Sequence, residues 1–243
     1  MEFNFKDKTI LVTGAGQGIG KSLCLKLAKC GANVLALSRT KSHLDELAKA
    51  DPKIHPINVD LGDWSATRQA LEGTEEVDGL VNNAAVAINN SFFEITEDDI
   101  DRSFSVNVKS VINVTQMVAK GMVERRKGSI VNVSSVASMI GLDNHTVYCG
   151  TKSALDGITR VMAKEFGKHN VRANCVNPTV VFTAMGRKEW SDPVKGGPEK
   201  AKIPLGRFAE VEEVVDTILF LLSDNSSMLN GVTLPIDGGR TAT

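Results

Sequence analysis

The chain contains a single tyrosine, Tyr148, and Lys152 follows it four residues later. Residues four apart on an α-helix share a face, so the ammonium and the phenol are neighbours if this stretch is helical. A nearby positive charge favours the phenolate and lowers the pKa of a tyrosine from its reference value of about 10. A tyrosine tuned in this way can donate a proton to a carbonyl group near neutral pH. Taken alone, the spacing favours a lysine that extends to solvent and a tyrosine that caps the helix.

Two further polar side chains stand at positions where they could support such chemistry. An apolar strand ends at Asn132-Val133-Ser134-Ser135, and open α/β sheets bind ligands at the carboxyl ends of their strands. A serine there can hydrogen-bond a substrate oxygen, although serine is also a common turn residue. Asn107 falls within an apolar helical stripe between residues 97 and 123. A buried amide needs hydrogen-bond partners, so Asn107 is either structural or part of a site.

A glycine-rich segment follows the first apolar strand and precedes an amphipathic stretch. It reads Thr13-Gly14-Ala15-Gly16-Gln17-Gly18-Ile19-Gly20. Glycines at such a junction allow a tight turn and bring backbone N–H groups against a pyrophosphate at the helix N-terminus. The spacing differs from the general G-x-G-x-x-G pattern, because its third glycine would fall on Ile19 or Lys21. A glycine turn placed directly after the first strand of an alternating βα series predicts a dinucleotide site.

The residues at the end of the second predicted strand indicate which dinucleotide is bound. Where NAD is preferred, an acidic residue at this position accepts hydrogen bonds from the adenosine ribose. Here the strand ends in Ser38-Arg39-Thr40, with no acid. A guanidinium and two hydroxyls suit a 2′-phosphate, so the sequence predicts NADP(H). Taken alone, Arg39 is equally well explained as a solvated surface residue.

Short β-branched runs alternate with longer stretches of helical period, and this alternation predicts a parallel sheet with helices on both faces. The predicted strands are Thr9–Thr13, Asn33–Leu37, Ile54–Val59, Gly79–Val81, Ser129–Ser134, Val171–Asn177 and Thr233–Ile236. The predicted helices are 18–30, 42–49, 64–72, 97–123, 147–167 and 210–222. An irregular stretch with Gly and Pro, Met185–Pro204, is interpreted as a lid or binding segment, with a plain surface insertion as the alternative.

Composition restricts the classes of protein to consider. The 28 Lys and Arg nearly cancel the 29 Asp and Glu, which argues against a nucleic-acid or membrane-surface partner. Apolar residues make up 42%, enough for a sizeable core, and no apolar run reaches the length of a membrane span. The four cysteines show no metal-binding spacing, so no metal site is predicted. No signal-peptide pattern is present, and we expect a cytoplasmic protein with reduced thiols.

Taken together, these residues resemble the short-chain dehydrogenase/reductase family over almost the whole chain. The segments that carry the resemblance are Thr13-Gly14 through Gly20, Asn82-Asn83-Ala84-Ala85, Asn107, Asn132-Val133-Ser134-Ser135, Tyr148-Cys149-Gly150-Thr151-Lys152, Asn177-Pro178 and Asp237-Gly238-Gly239. The thirteen-residue gap between Ser135 and Tyr148 matches the family and selects Ser135 over Ser134. The resemblance implies one Rossmann-type domain over residues 1–243, a doubly wound parallel sheet with a short lid at about 183–205.

The resemblance also implies roles for individual residues. Tyr148 is the general acid/base, Ser135 orients and polarises the carbonyl, and Lys152 lowers the tyrosine pKa and holds the nicotinamide ribose. Asn107 organises a proton-relay water. The implied cofactor contacts are Gly14, Gln17, Gly18, Ile19, Gly20, Ser38, Arg39, Thr40, Asp60, Leu61, Asn83, Tyr148, Lys152, Pro178, Val180 and Thr183. Family members typically form tetramers through the helices that carry Asn107 and Tyr148, so a homotetramer is expected.

Two departures from the common family pattern point to one branch. Ala85 replaces a usual glycine, and Thr179 replaces the glycine that usually follows Asn177-Pro178. With the segments Asn144-His145 and Glu189–Pro193, they resemble the branch whose members reduce L-xylulose to xylitol, and α-dicarbonyls such as diacetyl, with NADPH. That resemblance implies a small carbonyl or sugar substrate contacted by Ser135, Val136, His145, Tyr148 and Trp190.

Several alternatives stay open at this point. His145 is equally consistent with an exposed loop residue, and Trp190 with a lid residue packed for stability. Val136 stands where the branch has a hydroxyl-binding glutamine, and the tail Arg240–Thr243 lacks the branch's aromatic ending. A second function within the family is a 3-oxoacyl carrier-protein reductase, for which Lys120 and Arg125–Lys127 could form a basic entrance. A third is a non-catalytic NADP(H)-binding regulator, which the presence of Tyr148 and Lys152 disfavours.

Overall fold

A parallel β-sheet organises the molecule, as the alternating pattern predicts. The computed structural model describes residues 3–74 and 76–242, except for the side chains of Met185, Lys188 and Glu189. The strands of this sheet are β1 Thr9–Thr13, β2 Asn33–Ser38, β3 Ile54–Asn58, β4 Gly79–Asn82, β5 Gly128–Val133, β6 Val171–Pro178 and β7 Thr233–Ile236. Their order is β3-β2-β1-β4-β5-β6-β7, with every neighbouring pair parallel. This is a seven-stranded Rossmann-like sheet whose strand order reverses at β1 and β4, where ligands bind in such folds.

Helices cover both faces of the sheet. They are α1 Gly18–Lys29, α2 Lys41–Ala50, α3 Trp64–Leu71, α4 Glu97–Phe104, α5 Ser110–Arg125, α6 Thr146–Gly167, α7 Ala184–Trp190, α8 Pro193–Ala201 and α9 Val211–Leu222. One apolar core packs α1, α2 and α9 against the sheet, and the other packs α3, α5 and α6 against the opposite face. Six predicted helical stretches are confirmed to within one or two residues at their outer ends. Within the described residues, none of the helices is long and apolar enough to cross a bilayer.

The stretch predicted as one helix over 97–123 has a local irregularity. A capping box starts α4, with Thr96 Oγ1 accepting from Asp99 N at 3.2 Å. Residues Ser105–Lys109 then form a π-helical turn before α5 continues to Arg125. The extra residue of a π turn shifts the register of the following side chains, and such turns often occur at functional sites. Asn107 lies within this turn.

The prediction that the stretch from Met185 to Pro204 is irregular is wrong. It contains α7 and α8, the latter with Pro193 in its first turn and Asp192 Oδ1 accepting from Val194 N at 2.9 Å. Proline suits the first turn of a helix, because an N–H there has no intrahelical partner. Of the Gly and Pro residues that suggested a loop, Pro193 marks the helix start, whereas Gly196, Gly197 and Pro198 lie inside α8. The Glu189 side chain of the predicted lid and Thr243 of the tail lie outside the described residues.

Candidate active site

The glycine turn after β1 has the close packing that its sequence predicts. Gly14 has φ +64°, and a Cβ there would lie 2.8 Å from the Cα of Ala84. A Cβ on Gly20 would lie 2.3 Å from the carbonyl oxygen of Gly14 and 2.7 Å from Asn83 Nδ2. Larger side chains at either position would push the turn away from the sheet. The backbone of the first turn of α1 is thus left open to a ligand.

A cleft of about 370 Å³ opens above this turn at the carboxyl ends of the strands. The sequence-predicted cofactor residues that line it are Gly14, Gln17, Gly18, Ile19, Ser38, Arg39, Thr40, Asp60, Leu61, Asn83 and Thr183. Gly20 lies beneath the turn and supports it. The cleft runs from β2 across β1 to β4, the position where a doubly wound sheet holds a dinucleotide. The residues present fit such a group, since the glycines form a cradle that a Cβ would fill.

The end of β2 places positive charge and hydroxyls at one end of the cleft. Arg39 is exposed and makes no ion pair with any other described residue. Ser38 Oγ accepts from the Thr40 backbone N–H at 3.3 Å, which holds the three side chains in a tight turn. His43, one turn into α2, also lines the cleft and was missed from the sequence. A Cβ on Gly16 would meet its Nδ1 at 3.1 Å, so the imidazole borders the glycine turn.

Asn83 holds the floor of the cleft in place. Its Nδ2 donates to the carbonyl oxygens of Thr13 and Gly14 at 3.0 and 3.2 Å. The backbone N–H groups of Asn83 and Ala84 both donate to Thr13 Oγ1. Asn83 therefore ties the end of β4 to the end of β1 while its backbone borders the cleft. Thr183 closes the opposite side, with Cγ2 positioned 3.2 Å from where a Gly18 Cβ would lie.

Ser135 lies just beyond the carboxyl end of β5. Its Oγ accepts from the Ala137 backbone N–H at 3.1 Å and donates to the Pro178 carbonyl at 3.5 Å. The first contact caps a short 3-10 turn over Val136–Ser138, so local structure fixes the serine rotamer. Its neighbour Ser134 points elsewhere, because its hydroxyl donates to the backbone oxygen of Lys152 at 3.2 Å.

Tyr148 and Lys152 lie on the first two turns of α6, facing the end of β5. Lys152 is only 3% exposed, and its Nζ donates to the Val133 carbonyl at 2.8 Å. That nitrogen lies 5.6 Å from the centre of the Tyr148 ring, within the range of a cation–π interaction. The half-buried Tyr148 also interacts through its phenol with the Ser135 hydroxyl. The structure therefore brings the serine, tyrosine and lysine side chains together.

The residues around Tyr148 do not lower its pKa, contrary to the prediction from the sequence. Burial raises the pKa of Tyr148 above its usual range, and the hydrogen bond with Ser135 opposes this only in part. Burial also lowers the pKa of Lys152, to about 8. The reason is that desolvation disfavours both the phenolate and the ammonium, and Lys152 directs its proton at a carbonyl rather than at the phenol oxygen. Near pH 7 the tyrosine carries its proton and the lysine is largely charged.

Asn107 is 1% exposed and connects two parts of the site. Its Oδ1 accepts from Val86 N at 2.8 Å, and its Nδ2 donates to Val86 O at 2.9 Å and to Thr151 Oγ1 at 3.1 Å. Thr151 stands between Tyr148 and Lys152 in α6. The amide therefore joins the segment after β4 to the helix that carries the tyrosine and the lysine.

The segment after β6 borders the site through its backbone. Pro178 presents its carbonyl oxygen to Ser135. Val180 O accepts from Ala209 N at 3.1 Å, while Thr183 caps α7 by accepting from Gly186 N at 3.0 Å. Pro178, Val180 and Thr183 thus lie along one strand-to-helix connection that reaches from Ser135 to the glycine turn.

The predicted substrate residues divide into two groups. The His145 ring lies 6.2 Å from that of Tyr148, and its Nδ1 lies 2.6 Å from the Asp143 carbonyl. Val136 is 5% exposed and turned into the protein. Trp190 packs against Phe208 with ring centres 6.1 Å apart, and Lys195 lies over its ring at 5.1 Å. The geometry places His145 beside Tyr148. Trp190 instead makes the contacts expected of a lid residue that is packed for stability.

Several residues of the site were not predicted from the sequence. Those that line the cleft are Gly16, His43, Val59, Ala84, Ala85, Val86, Val106 and Ala184. Gly16, Ala84 and Ala85 belong to the segments that carry the family resemblance but were not assigned to the site. Most of the others are apolar and contribute shape, so their residue types carry no signal in the sequence. Among the described residues, no cluster of three or more His, Cys, Asp or Glu side chains is placed to hold a metal ion.

Comparison with known proteins agrees with this geometry. The sequence profile described as short chain dehydrogenase matches residues 8–194, and the chain belongs to the short-chain dehydrogenase family. An L-xylulose reductase of Mus musculus is 56% identical over 244 residues, covering all of both chains. A protein named carbonyl reductase [NADPH] 2 of Sus scrofa is 49% identical, again with full coverage of both.

Solved structures extend the agreement to the fold. A gluconate 5-dehydrogenase from Burkholderia cenocepacia J2315, in complex with NADP and tartrate, superposes with a TM-score of 0.94 at 29% identity. The match covers 100% of this chain and 98% of the chain of that structure. The chain is accordingly an oxidoreductase that acts on CH–OH groups, a carbonyl reductase in type, and it binds a nicotinamide cofactor.

Proposed function

We propose that the chain is an NADPH-dependent reductase of small ketose sugars and α-dicarbonyls, with L-xylulose and diacetyl as representative substrates. The observation that carries the proposal is the meeting of Ser135, Tyr148 and Lys152 at the carboxyl end of β5, in the same molecule as a glycine-lined cleft at the ends of β1, β2 and β4. Reduction of a carbonyl needs a hydride at carbon and a proton at oxygen. NADPH, when bound, supplies the hydride.

The chain's own residues handle the oxygen and its proton. Ser135 donates a hydrogen bond to the substrate oxygen and orients the carbonyl beside Tyr148. The raised pKa of Tyr148 keeps its proton in place until the oxygen becomes basic, when the phenol donates it. Lys152 stabilises the resulting phenolate and holds the nicotinamide ribose, and a water organised by Asn107 returns the proton. The products are an alcohol and NADP⁺.

The choice of NADPH rests on the end of β2. Arg39 provides a guanidinium that forms no ion pair within the described part of the chain, and Ser38 and Thr40 provide hydroxyls on the same turn. A 2′-phosphate carries nearly two negative charges at pH 7 and would form charge-assisted hydrogen bonds with these groups. The relative's name, carbonyl reductase [NADPH] 2, agrees with this choice.

The substrate class rests on the relatives and on His145. The L-xylulose reductase is similar over its whole length, which carries its ketose substrate to this chain as a proposal. The half-buried His145 imidazole, adjacent to Tyr148, offers a polar contact to a substrate hydroxyl. Val136 offers none, so we expect a small α-dicarbonyl to be accepted as readily as a polyhydroxylated ketose.

We also propose a homotetramer. The helical segments that carry Asn107 and Tyr148 expose apolar side chains, with Ile100 on α4 at 42% and Val161 on α6 at 54%. Apolar residues on two adjacent helix faces favour association through them. Light scattering coupled to size-exclusion chromatography checks the assembly, and a monomer at micromolar concentration would contradict it.

The catalytic part of the proposal is tested with Tyr148→Phe. We expect reductase turnover to fall by about 10²–10⁴-fold, the usual range for loss of a general acid, while NADPH still binds. Turnover follows NADPH oxidation at 340 nm, and binding follows the fluorescence of NADPH. Unchanged turnover would refute the assignment of the tyrosine.

The substrate part is tested with a panel of L-xylulose, diacetyl and an acetoacetyl thioester, each with NADPH and NADH. We expect the first two to be reduced with the larger kcat/KM. A preference for the thioester would favour a 3-oxoacyl carrier-protein reductase, and binding of NADPH with no reduction would favour a regulator.

A further inference from the structure

Asp156 is a buried carboxylate that the proposed mechanism does not use. It lies on α6 one turn after Lys152 and is 7% exposed. Both of its oxygens accept from Asn177 Nδ2, at 3.3 and 3.2 Å. The Cys175 thiol is its other hydrogen-bonding neighbour. The amide and the thiol are neutral donors, so a buried carboxylate held by them is costly to maintain unless a positive charge lies nearby. Its surroundings therefore call for an explanation.

The candidate for that charge is Lys152, one helical turn earlier on α6. Residues four apart on a helix have neighbouring side chains, and both of these are buried. Two groups on other residues raise the pKa of Lys152 against the effect of burial, Cys175 on β6 and Asp156 on α6. Burial raises the pKa of the Cys175 thiol to about 12, so this group is neutral at the pH of catalysis. Tyr148 is neutral there as well, which leaves Asp156 as the anion that acts on Lys152.

A second connection runs from Asp156 to Ser135. Asn177 Nδ2, which Asp156 accepts from, also contacts the Ser135 carbonyl at 3.1 Å and Ser138 Oγ at 2.8 Å. Ser138 Oγ itself donates to the Ser135 carbonyl at 2.8 Å. The Asp156 carboxylate thus fixes the orientation of an amide that holds the backbone of Ser135.

We propose that Asp156 is a positioning residue, whose buried negative charge keeps Lys152 in its ammonium form and whose contact with Asn177 anchors Ser135. This inference rests on the proposed function, in which Lys152 must be charged to stabilise the Tyr148 phenolate. The charge and the hydrogen bond are separate properties of the same side chain, so different substitutions can remove one or both.

The consequence is a specific pH dependence. Lys152, with its pKa of about 8, is charged below that pH and loses its charge above it. We therefore expect kcat/KM for carbonyl reduction to fall on the alkaline side near pH 8. An anion stabilises the ammonium and raises its pKa, so removing the Asp156 charge moves this alkaline limb to lower pH.

The test compares three variants over pH 5–9.5. Asp156→Asn keeps an acceptor for Asn177 and loses the charge, and we expect its alkaline limb to move down by about two pH units, as charges one helical turn apart imply at the effective dielectric of protein sites. Asp156→Ala also loses the acceptor, and we expect an additional loss of about tenfold in kcat at every pH. Glu165→Gln is the matched control, since it removes one negative charge from an exposed position of the same helix.

A limb that moves in Asp156→Asn and stays in Glu165→Gln supports the proposal. A limb that stays in a folded Asp156→Asn enzyme overturns it, as does an equal shift in both variants. Failure of both Asp156→Asn and Asp156→Ala to fold would assign Asp156 to stability and overturn the proposal. Wild-type chain that reduces no carbonyl with NADPH would instead overturn the proposed function, before any variant is compared.

Discussion

The two ends of the candidate site are built in different ways. At the cofactor end, Gly14, Gly18 and Gly20 act through the side chains they lack, and the exposed Arg39 acts through charge. At the catalytic end, the groups are buried side chains held by contacts between β5, α6 and β6. Lys152, for example, is fixed by a hydrogen bond to Val133 across a gap of nineteen residues in sequence.

The difference shows where each kind of precision comes from. A glycine turn between a strand and a helix is a local structure, and its steric requirement can be satisfied by a few consecutive residues. A proton-transfer site needs desolvated groups at hydrogen-bond distance, which only the packing of distant segments can provide. Substitutions at the first end should therefore act on cofactor binding, and those at the second on turnover.

The largest effect on NADPH binding is expected from Gly20→Ala at the cofactor end. The added Cβ would meet the Gly14 carbonyl oxygen at 2.3 Å, and backbone atoms cannot yield as a flexible side chain does. We expect NADPH affinity to fall at least about 100-fold, together with a lower melting temperature. NADPH fluorescence titration and thermal unfolding measure the two effects.

Gly197→Ala on α8 is the matched control, since a Cβ there meets no atom within 4 Å. It should leave NADPH affinity unchanged. If Gly20→Ala binds NADPH as tightly as the control does, the steric account of the cofactor end is wrong.

Next in size is Ser135→Ala at the catalytic end. Removal of one hydrogen-bond donor to a developing charge commonly reduces kcat by about 10²–10³-fold, and we expect a loss of this size with NADPH affinity retained. Ser134→Ala is the control, because that hydroxyl donates to the Lys152 backbone and does not reach the substrate position. Steady-state kinetics should separate the two serines. Equal losses of kcat in the two variants would contradict the choice of Ser135 over Ser134 that rests on the thirteen-residue spacing to Tyr148.

The smallest effect is expected from Arg39→Asp, at the exposed edge of the cofactor end. Loss of a charge-assisted pair and the repulsion of an acid should raise KM for NADPH by about 10–100-fold and lower that for NADH. Turnover at saturating cofactor should change little, because Arg39 is remote from Tyr148. The ratio of kcat/KM for the two cofactors is the measurement, and an unchanged ratio would contradict the role of Arg39.

The sequence predicted the fold class and the element order because the hydrophobic period of each segment is a local property. It failed where a local pattern has two meanings. Gly and Pro between 185 and 204 suggested a loop, whereas Pro193 begins α8. The π turn at Ser105–Lys109 is too short to change the hydrophobic period of the surrounding sequence, so it could not be predicted. It depends on how α4 and α5 pack against the sheet and α6.

The candidate site was predictable to a similar degree. Tyr148, Lys152, Arg39 and the glycine turn follow from residue type and spacing, whereas the choice of Ser135 over Ser134 came from the resemblance to the family. The lowered Tyr148 pKa was not found, since the desolvation of the buried phenol raises its pKa by more than the hydrogen bond with Ser135 lowers it. The contact between Trp190 and Phe208, and the position of Asp156 against Asn177, join segments that the sequence does not show to be adjacent.

The sequence by itself determined that this chain has one tyrosine able to act as a phenolic acid, and a dinucleotide turn ahead of it. It did so because residue identity and local spacing fix which groups are present. Only the tertiary structure decided that Tyr148 keeps its proton and that Lys152 is buried with a pKa of about 8. It also decided that Asp156 is buried on the same helix as Lys152. Protonation depends on burial and neighbouring charge, and these arise when distant segments pack together.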